Sequence, residues 1–292
     1  MFSGSLVAIV TPMRPEGAVD FEAWQRLIEM HLASGTSGIV VGGTTGESAT
    51  LSDAELWELT ERACAQVRHR IQIIAGAGTS STAATVERAR RLSELPIDGL
   101  LVVTPAYNRP TQEGLYQHFA AVAKAARAPL ILYNVPSRTA VDMLPATVQR
   151  LAQLPGIVAV KEAVADLERV QELLTLCPGE FDILSGDDLT ARRSILAGAK
   201  GLISVTSNVA PRAVSDMVAA ARRGDAAAAE RLDAPIVALH RDLFVEANPI
   251  PAKWALARMG IIQSGIRLPL TELSPAYQPA VLAALSTAGV LN

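Results

Sequence analysis

The chain carries the stretch Gly156-Ile157-Val158-Ala159-Val160-Lys161-Glu162-Ala163, a short apolar run that ends in a lysine. Isoleucine and valine predominate in the run, which is typical of a strand covered on both faces. Lysine is rare in this protein: the others are Lys124, Lys200 and Lys253, and only Lys161 directly closes an apolar run of strand length. The pattern predicts a parallel strand with Lys161 at its carboxyl end.

A lysine at the mouth of a buried sheet has two interpretations. Burial disfavours the charged form of an amine, and a neutral amine can attack a carbonyl carbon to form a Schiff base. Alternatively, the stem of Lys161 packs in the sheet while its amine reaches water or pairs with Glu162. Position alone favours the second interpretation, so the choice depends on the rest of the chain.

Eight short apolar runs of this kind follow one another along the chain. Most of the intervals between them contain a segment with helical periodicity, and Asp20 and the pair Ser52 and Glu55 are suited to cap two of the helices. Such alternation is expected of parallel strands joined by helical crossovers. The sequence therefore predicts an α/β fold, a (β/α)8 TIM barrel, in residues 1–224. The runs begin at Leu6, Gly38, Ile71, Gly99, Leu130, Ile157, Phe181 and Gly201.

The sequence changes in character after Gly224. Helical segments are predicted in residues 226–245, 249–258 and 275–288, without further strands between them. We therefore expect residues 225–292 to form a C-terminal helical appendage, whose expected role is packing between subunits.

Composition excludes several classes of function. With 292 residues, a net charge of -3 and 4% aromatic residues, the protein has no excess of basic residues for binding nucleic acid. Residues 1–5 hold no basic leader and no apolar run approaches the length of a membrane span, so we expect a cytoplasmic protein without membrane contact. The histidines and the two cysteines do not fall into metal-ligand spacings, and we predict neither a metal site nor a disulfide.

In a barrel of this kind, the loops after the carboxyl ends of the strands build the active site. The second run is followed by the turn Gly42-Gly43-Thr44-Thr45-Gly46-Glu47, which can offer amides and hydroxyls to a carboxylate. Tyr107 and Tyr133 lie at the ends of the fourth and fifth runs, and together with Lys161 they form a candidate proton-transfer set. The planar guanidinium of Arg138 suits a substrate carboxylate. Each feature also has a structural interpretation, as an ordinary turn, a buried tyrosine or a surface ion pair.

The last two strand ends argue against a phosphorylated substrate. The seventh run leads into Ser185-Gly186-Asp187-Asp188, which supplies carboxylates, and the eighth into Ser204-Val205-Thr206-Ser207, which contains no lysine or arginine. Phosphate-binding barrels instead place glycines and amide donors here.

Five motifs in these positions resemble those of the dihydrodipicolinate synthase family, which belongs to the pyruvate-dependent aldolases and N-acetylneuraminate lyases. The resemblance covers essentially the whole chain. It implies a lyase that condenses pyruvate with L-aspartate 4-semialdehyde to give 4-hydroxy-tetrahydrodipicolinate, in lysine and diaminopimelate biosynthesis, without metal or organic cofactor. It also implies a homotetramer, a dimer of dimers. The motifs are Gly43-Thr44-Thr45-Gly46-Glu47, Thr104-Pro105 with Tyr107-Asn108-Arg109-Pro110, Tyr133-Asn134-Val135-Pro136-Ser137-Arg138, Val160-Lys161-Glu162-Ala163 and Ser185-Gly186-Asp187-Asp188.

The resemblance also implies roles for the catalytic residues. Lys161 would form the Schiff base with pyruvate, and Tyr133 would be the acid and base beside it. Thr44 would link Tyr133 to Tyr107 in a hydroxyl relay, and Tyr107 would reach into the site of the neighbouring subunit.

Four further residues would bind the substrates if the resemblance holds. Thr45 and the amides of its turn would hold the carboxylate of pyruvate, and Arg138 the carboxylate of the semialdehyde. The carbonyl groups of Gly186 and Ile203 would line the pocket.

Two alternatives remain open. The first is another lyase of the same family, such as an N-acetylneuraminate lyase or a keto-deoxy-sugar-acid aldolase; Thr44, Thr45, Tyr107 and Arg138 argue against it. The second is a non-catalytic barrel that binds an α-keto acid, which the combination of lysine and tyrosine argues against.

Four positions depart from the pattern of relatives that lysine inhibits. Those relatives carry histidines where this chain has Asp53 and Leu56, a glutamate in place of Ala84, and often a tyrosine in place of Ala106. We therefore expect little inhibition by lysine.

Overall fold

A computed structural model describes residues 1–177 and 179–291 of the chain. Eight parallel strands close into a barrel in sequence order, and β1 pairs with both β2 and β8. The predicted (β/α)8 barrel is therefore confirmed, and each strand begins within two residues of its predicted start. The strands are β1 (Gly4–Ala8), β2 (Gly38–Val41), β3 (Gln72–Gly76), β4 (Gly99–Val103), β5 (Leu130–Asn134), β6 (Ile157–Glu162), β7 (Asp182–Ser185) and β8 (Gly201–Ser204).

The helices of the barrel form an outer layer around the strands. Asp20 caps the first helix through the Ala23 N–H at 3.0 Å, and Ser52 and Glu55 form the predicted capping box of the second. Within the described residues, no helix combines the length and apolar character required to cross a bilayer. The helices are α1 (Phe21–Ala33), α2 (Asp53–Val67), α3 (Thr82–Leu92), α4 (Gln112–Ala125), α5 (Pro136–Thr139), α6 (Pro145–Leu151), α7 (Leu167–Leu176), α8 (Asp188–Leu196) and α9 (Pro211–Arg222).

Four more α-helices follow Gly224 in the described residues, and several of their boundaries differ from the prediction. The first predicted segment divides around Pro235, because proline has no N–H to donate and crowds the preceding turn, and the last helix begins three residues later than predicted. The division of the chain at Gly224 and a role in subunit packing stay predictions, and Asn292 lies outside the described residues. The helices are α10 (Ala226–Asp233), α11 (Val237–Asp242), α12 (Ile250–Arg258) and α13 (Gln278–Thr287).

Two apolar cores separate the inside of the barrel from the outer layer. Alternate residues of β5 divide between them: Ile131 and Tyr133 belong to the inner core, and Leu130 and Leu132 to the outer one. The register of β5 against β6 shifts after Leu130, so that Ile131 pairs with Ala159. This shift brings Lys161 opposite Tyr133 and Glu162 opposite Asn134.

Candidate active site

Lys161 and Tyr133 face each other inside the barrel at the carboxyl ends of β6 and β5. They are partners in the register of the two strands, both are buried, and the Lys161 Nζ lies 4.4 Å from the centroid of the tyrosine ring. Glu162 is not the partner of this amine, because its side chain points to the outer face and its carboxylate lies 3.8 Å from Arg169. The structure therefore holds a primary amine in a largely apolar interior beside a phenol.

Thr44 and Tyr107 lie further out, at the mouth of the barrel. Thr44 is half-buried, whereas the Tyr107 side chain is 94% exposed and has a positive φ of 73°, a backbone conformation that is uncommon outside glycine. The side chain of Tyr107 thus projects into solvent from the loop after β4. The structure brings Thr44 to the entrance of the site and leaves Tyr107 at the molecular surface, away from Tyr133.

Thr45 and Arg138 are connected by one residue that the sequence did not indicate as functional. The Asn248 Nδ2 donates to Thr45 Oγ1 at 2.9 Å, and Arg138 Nη2 donates to the Asn248 carbonyl at 3.1 Å. The turn itself is closed by the Gly46 and Ser48 amides, which both donate to the Gly43 carbonyl. Asn248 therefore fixes both candidate carboxylate-binding residues relative to each other.

Gly186 and Ile203 complete the wall around the lysine. A Cβ on Gly186 would lie 3.0 Å from Lys161 Cε and 2.8 Å from the Cβ of Ala163, so a larger residue would displace the lysine stem. The Gly186 N–H donates to the Glu162 carbonyl at 2.6 Å. Ile203 is fully buried in the inner core.

A buried ion pair connects the turn after β2 to helix α12. Lys253 Nζ of α12 donates to Glu47 Oε1, and the Arg267 N–H donates to Glu47 Oε2 at 3.1 Å. Burial lowers the pKa of the Lys253 ammonium, and the adjacent Glu47 carboxylate opposes that effect. Arg267 also binds Glu55 at 2.5 and 2.9 Å. Helix α12 and the segment around Arg267 thus hold the loop that carries Thr44 and Thr45.

A second polar cluster lies behind Lys161, on the outer face of the sheet. Glu162 is buried there and accepts hydrogen bonds from Asn134 and from the Val164 N–H at 2.9 Å. Burial raises the pKa of the Glu162 carboxyl to about 7, and the hydrogen bonds from Val164 and Asn134 and the charge of Arg169 act in the opposite direction. Arg169 also pairs with Asp142 at 2.6 Å.

An open cavity of about 440 Å³ lies beside Thr44 and Arg138 at the mouth of the barrel. Thr44, Val135 and Arg138 line it, together with Ser48, Ala106 and Thr139 among others. The cavity presents hydroxyls and two guanidinium groups, those of Arg88 and Arg138, a set that suits a small carboxylate with polar groups. In the part of the chain that the structure describes, no group of three or more His, Cys, Asp and Glu side chains is arranged to hold a metal ion.

A closed parallel barrel with these polar groups gathered at the carboxyl ends of its strands has the architecture of a (β/α)8-barrel enzyme. The model of the dihydrodipicolinate synthetase family matches residues 1–288. The chain belongs to that family and is an enzyme of the lyase class.

Individual relatives agree with this assignment. A 4-hydroxy-tetrahydrodipicolinate synthase of Methylococcus capsulatus is 53% identical over 291 residues, which span 100% of both chains. One of Ectopseudomonas mendocina is 52% identical over the same length, again 100% of both. The crystal structure of a dihydrodipicolinate synthase from Acinetobacter baumannii, complexed with pyruvate, superimposes with a TM-score of 0.98 at 47% identity and 100% coverage of both chains.

Proposed function

We propose that the protein condenses pyruvate with L-aspartate 4-semialdehyde through a Schiff base on Lys161, and so makes 4-hydroxy-tetrahydrodipicolinate for lysine and diaminopimelate biosynthesis. The observation that carries the proposal is the buried Lys161 amine beside Tyr133, in a chain of this family. The names of the relatives support the choice of substrates.

Lys161 is the nucleophile of the first step. Its neutral amine attacks the ketone carbon of pyruvate, and the carbinolamine loses water to give the imine. Each proton transfer needs a group within hydrogen-bonding reach, and the Tyr133 phenol beside the amine can serve first as acid and then as base. The pyruvate carboxylate is held by the hydroxyl of Thr45 and by amides of its turn other than those of Gly46, Glu47 and Ser48, which donate to main-chain carbonyls.

The imine then acts as an electron sink. Loss of a proton from the methyl group gives an enamine, whose carbon attacks the aldehyde carbon of the second substrate and forms the new carbon–carbon bond. The amino group of that substrate closes the ring on the imine carbon and releases the lysine amine. Arg138 binds the carboxylate of the semialdehyde. Asn248 fixes the position of Arg138 relative to Thr45 through hydrogen bonds to both residues.

Protons reach the buried imine along Tyr133, Thr44 and Tyr107, and this part of the proposal involves a second copy of the chain. Tyr107 projects into solvent, so its hydroxyl serves the relay when it enters the site of a neighbouring protomer. We propose a dimer of dimers on this basis. A biosynthetic reaction on these metabolites also supports a cytoplasmic location.

The test is the loss of pyruvate in the presence of different aldehydes. With L-aspartate 4-semialdehyde, pyruvate should disappear in proportion to the aldehyde, whereas a sugar aldehyde should cause little loss. Arg138→Ala should raise the KM for semialdehyde and leave that for pyruvate nearly unchanged, and Tyr133→Phe should lower kcat by about 10²- to 10⁴-fold. Faster consumption with the sugar aldehyde would assign the protein to another lyase of the family.

A further inference from the structure

Strands β5 and β6 place two polar residue pairs next to each other in their register. Tyr133 is opposite Lys161, and the following residues, Asn134 and Glu162, are opposite each other. Because side chains of a strand alternate between its faces, the first pair faces the interior of the barrel and the second pair faces the helices. Both pairs are buried.

The outer pair is bonded side chain to side chain. The Asn134 Nδ2 lies 3.1 Å from each oxygen of the Glu162 carboxylate, and donates to Asp142 Oδ1 at 2.7 Å. The Asn134 Oδ1 accepts from the Met143 N–H at 2.9 Å. The amide of Asn134 is thus fully used, and it connects β5, β6 and the segment that follows Arg138.

This connection lies next to a place where the register of the strands is irregular. The shift after Leu130 leaves Val158 without a partner on β5, so the four pairs from Ile131 onward are aligned one residue out of step with the pair at Leu130. A slip of one residue would exchange the faces of Lys161 and Glu162. The lysine would then point at the helices, and a carboxylate would point into the barrel.

The polar groups around Glu162 make the observed alignment the favoured one. In any other alignment the buried Glu162 side chain would lose Asn134, its hydrogen-bond donor on β5, whereas the bond from the Val164 N–H lies within one segment and would move with it. A buried polar group that loses its partner destabilises the folded state, and a charged one does so more strongly. The outer pair therefore adds a specific polar contribution to the resistance that the two buried apolar faces already offer to a slip.

We propose that Asn134 and Glu162 are positioning residues that hold Lys161 opposite Tyr133, although neither side chain reaches the substrate. The inference rests on the proposed roles of Lys161 and Tyr133. It assigns a function in catalysis to the Glu162 side chain, which the chemistry of the Schiff base does not itself use. It also explains why an amide, with one acceptor and two donors, follows Tyr133 directly.

The test compares turnover per competent active site in five variants, of which one is a control and one a double variant. Competent sites are counted by the fraction of protein that gains the mass of a reduced pyruvate adduct on Lys161, and kcat is divided by that fraction. In Glu162→Leu and in Asn134→Ala, kcat per trapped site should fall about 10- to 100-fold, because small displacements of reacting groups lower the rate by that much. The KM for pyruvate should change less than about threefold. Glu162→Gln keeps an oxygen that can accept from Asn134 and Val164, so it should restore kcat to within about threefold of wild type.

Asp182→Leu is the matched control. Asp182 is also a buried carboxylate that accepts a main-chain N–H, that of Phe2 at 2.6 Å, but it begins β7 at the opposite end of the barrel. This variant should lower the thermal midpoint and leave kcat per trapped site unchanged. The double variant of Asn134 and Glu162 should lose little more than either single variant, because the two side chains act as one unit.

Two results would overturn the inference. Normal kcat per trapped site in Asn134→Ala and Glu162→Leu would show that the pair serves stability alone. Equal losses in Glu162→Gln and Glu162→Leu would show that charge, and not the hydrogen-bonded pairing, is what matters. Absence of any adduct in the wild-type protein would instead contradict the proposed Schiff base.

Discussion

Glu47 and Lys253 form an ion pair in which both side chains are buried, although the two residues are 206 positions apart in the sequence. The pair joins the turn that carries Thr44 and Thr45 to helix α12. Glu47 also has a positive φ of 59°, so the turn holds a backbone conformation that non-glycine residues seldom adopt. The ion pair and the Arg267 N–H together keep the turn in that conformation.

Replacement of Lys253 by methionine should destabilise the protein strongly. The Glu47 carboxylate would remain buried without its charged partner, and removing one member of a buried pair costs about 3–5 kcal/mol. Chemical unfolding should show this loss, and the variant Arg62→Met, which breaks an exposed pair with Glu58, should change stability by no more than about 1 kcal/mol. A Lys253→Met variant as stable as Arg62→Met would contradict the buried character of the pair.

Gly186→Ala should lower both activity and stability. The added methyl would press on the Ala163 Cβ, the Glu162 carbonyl oxygen and the Lys161 Cε, and of these only the lysine stem is flexible, so the amine would be displaced. We expect kcat to fall about 10- to 100-fold. Gly114→Ala at the start of α4 is the control, since its nearest atoms lie at 3.3 and 3.4 Å and belong to Pro110 and Thr111. Wild-type turnover in Gly186→Ala would show that the wall around Lys161 is not close-fitting.

The buried Glu162 carboxyl should make stability depend on pH. Its pKa is raised from 4.5 to about 7 in the folded state, so between these values the native state binds more protons than the unfolded state does. Stability contributed by the neutral carboxyl is therefore present below about pH 4.5 and is lost as the pH rises to about 7, by roughly 3 kcal/mol at most. Glu162→Gln should lack this decline. Parallel curves of thermal midpoint against pH for the two proteins would contradict the raised pKa.

Millimolar L-lysine should leave the activity nearly unchanged. A groove of about 290 Å³ between α2 and α3 contains Asp53, Leu56 and Ala84, and the Asp53 carboxylate is already paired with Arg88 at 2.8 Å. Leu56 offers no hydrogen bond and Ala84 no charge, and the Glu87 carboxylate on the same groove is paired with Arg90 at 2.7 Å. An ammonium would therefore have to compete with an arginine for either carboxylate. Inhibition with a midpoint below about 1 mM, which corresponds to roughly 4 kcal/mol of binding, would contradict the prediction.

The barrel could be predicted because its signals are local. Each strand is a short apolar run between segments of helical periodicity, and helix caps such as Ser52 with Glu55 are encoded within four residues. Candidate site residues follow from the same pattern, since the carboxyl ends of all the strands meet at one face of a barrel. Their assigned roles stay predictions.

The supporting residues could not be predicted in this way. Asn248, Lys253 and Arg267 reach the turn after β2 from helices and loops about 200 residues away, and nothing in their local sequence indicates that contact. The pairing of Asn134 with Glu162 depends on a register shift that apolar periodicity does not reveal. Alternation alone, however, shows that both side chains point away from Tyr133 and Lys161.

Reductive trapping with pyruvate tests the central claim most directly. Borohydride reduces an imine to a stable amine, so incubation with pyruvate and borohydride should add one pyruvate-derived group per chain, and peptide mapping should locate it on Lys161 alone. Lys253 should remain unlabelled, because Glu47 occupies its amine in the interior. A label on Lys124, Lys200 or Lys253 in place of Lys161, or no label at all, would contradict the proposed mechanism.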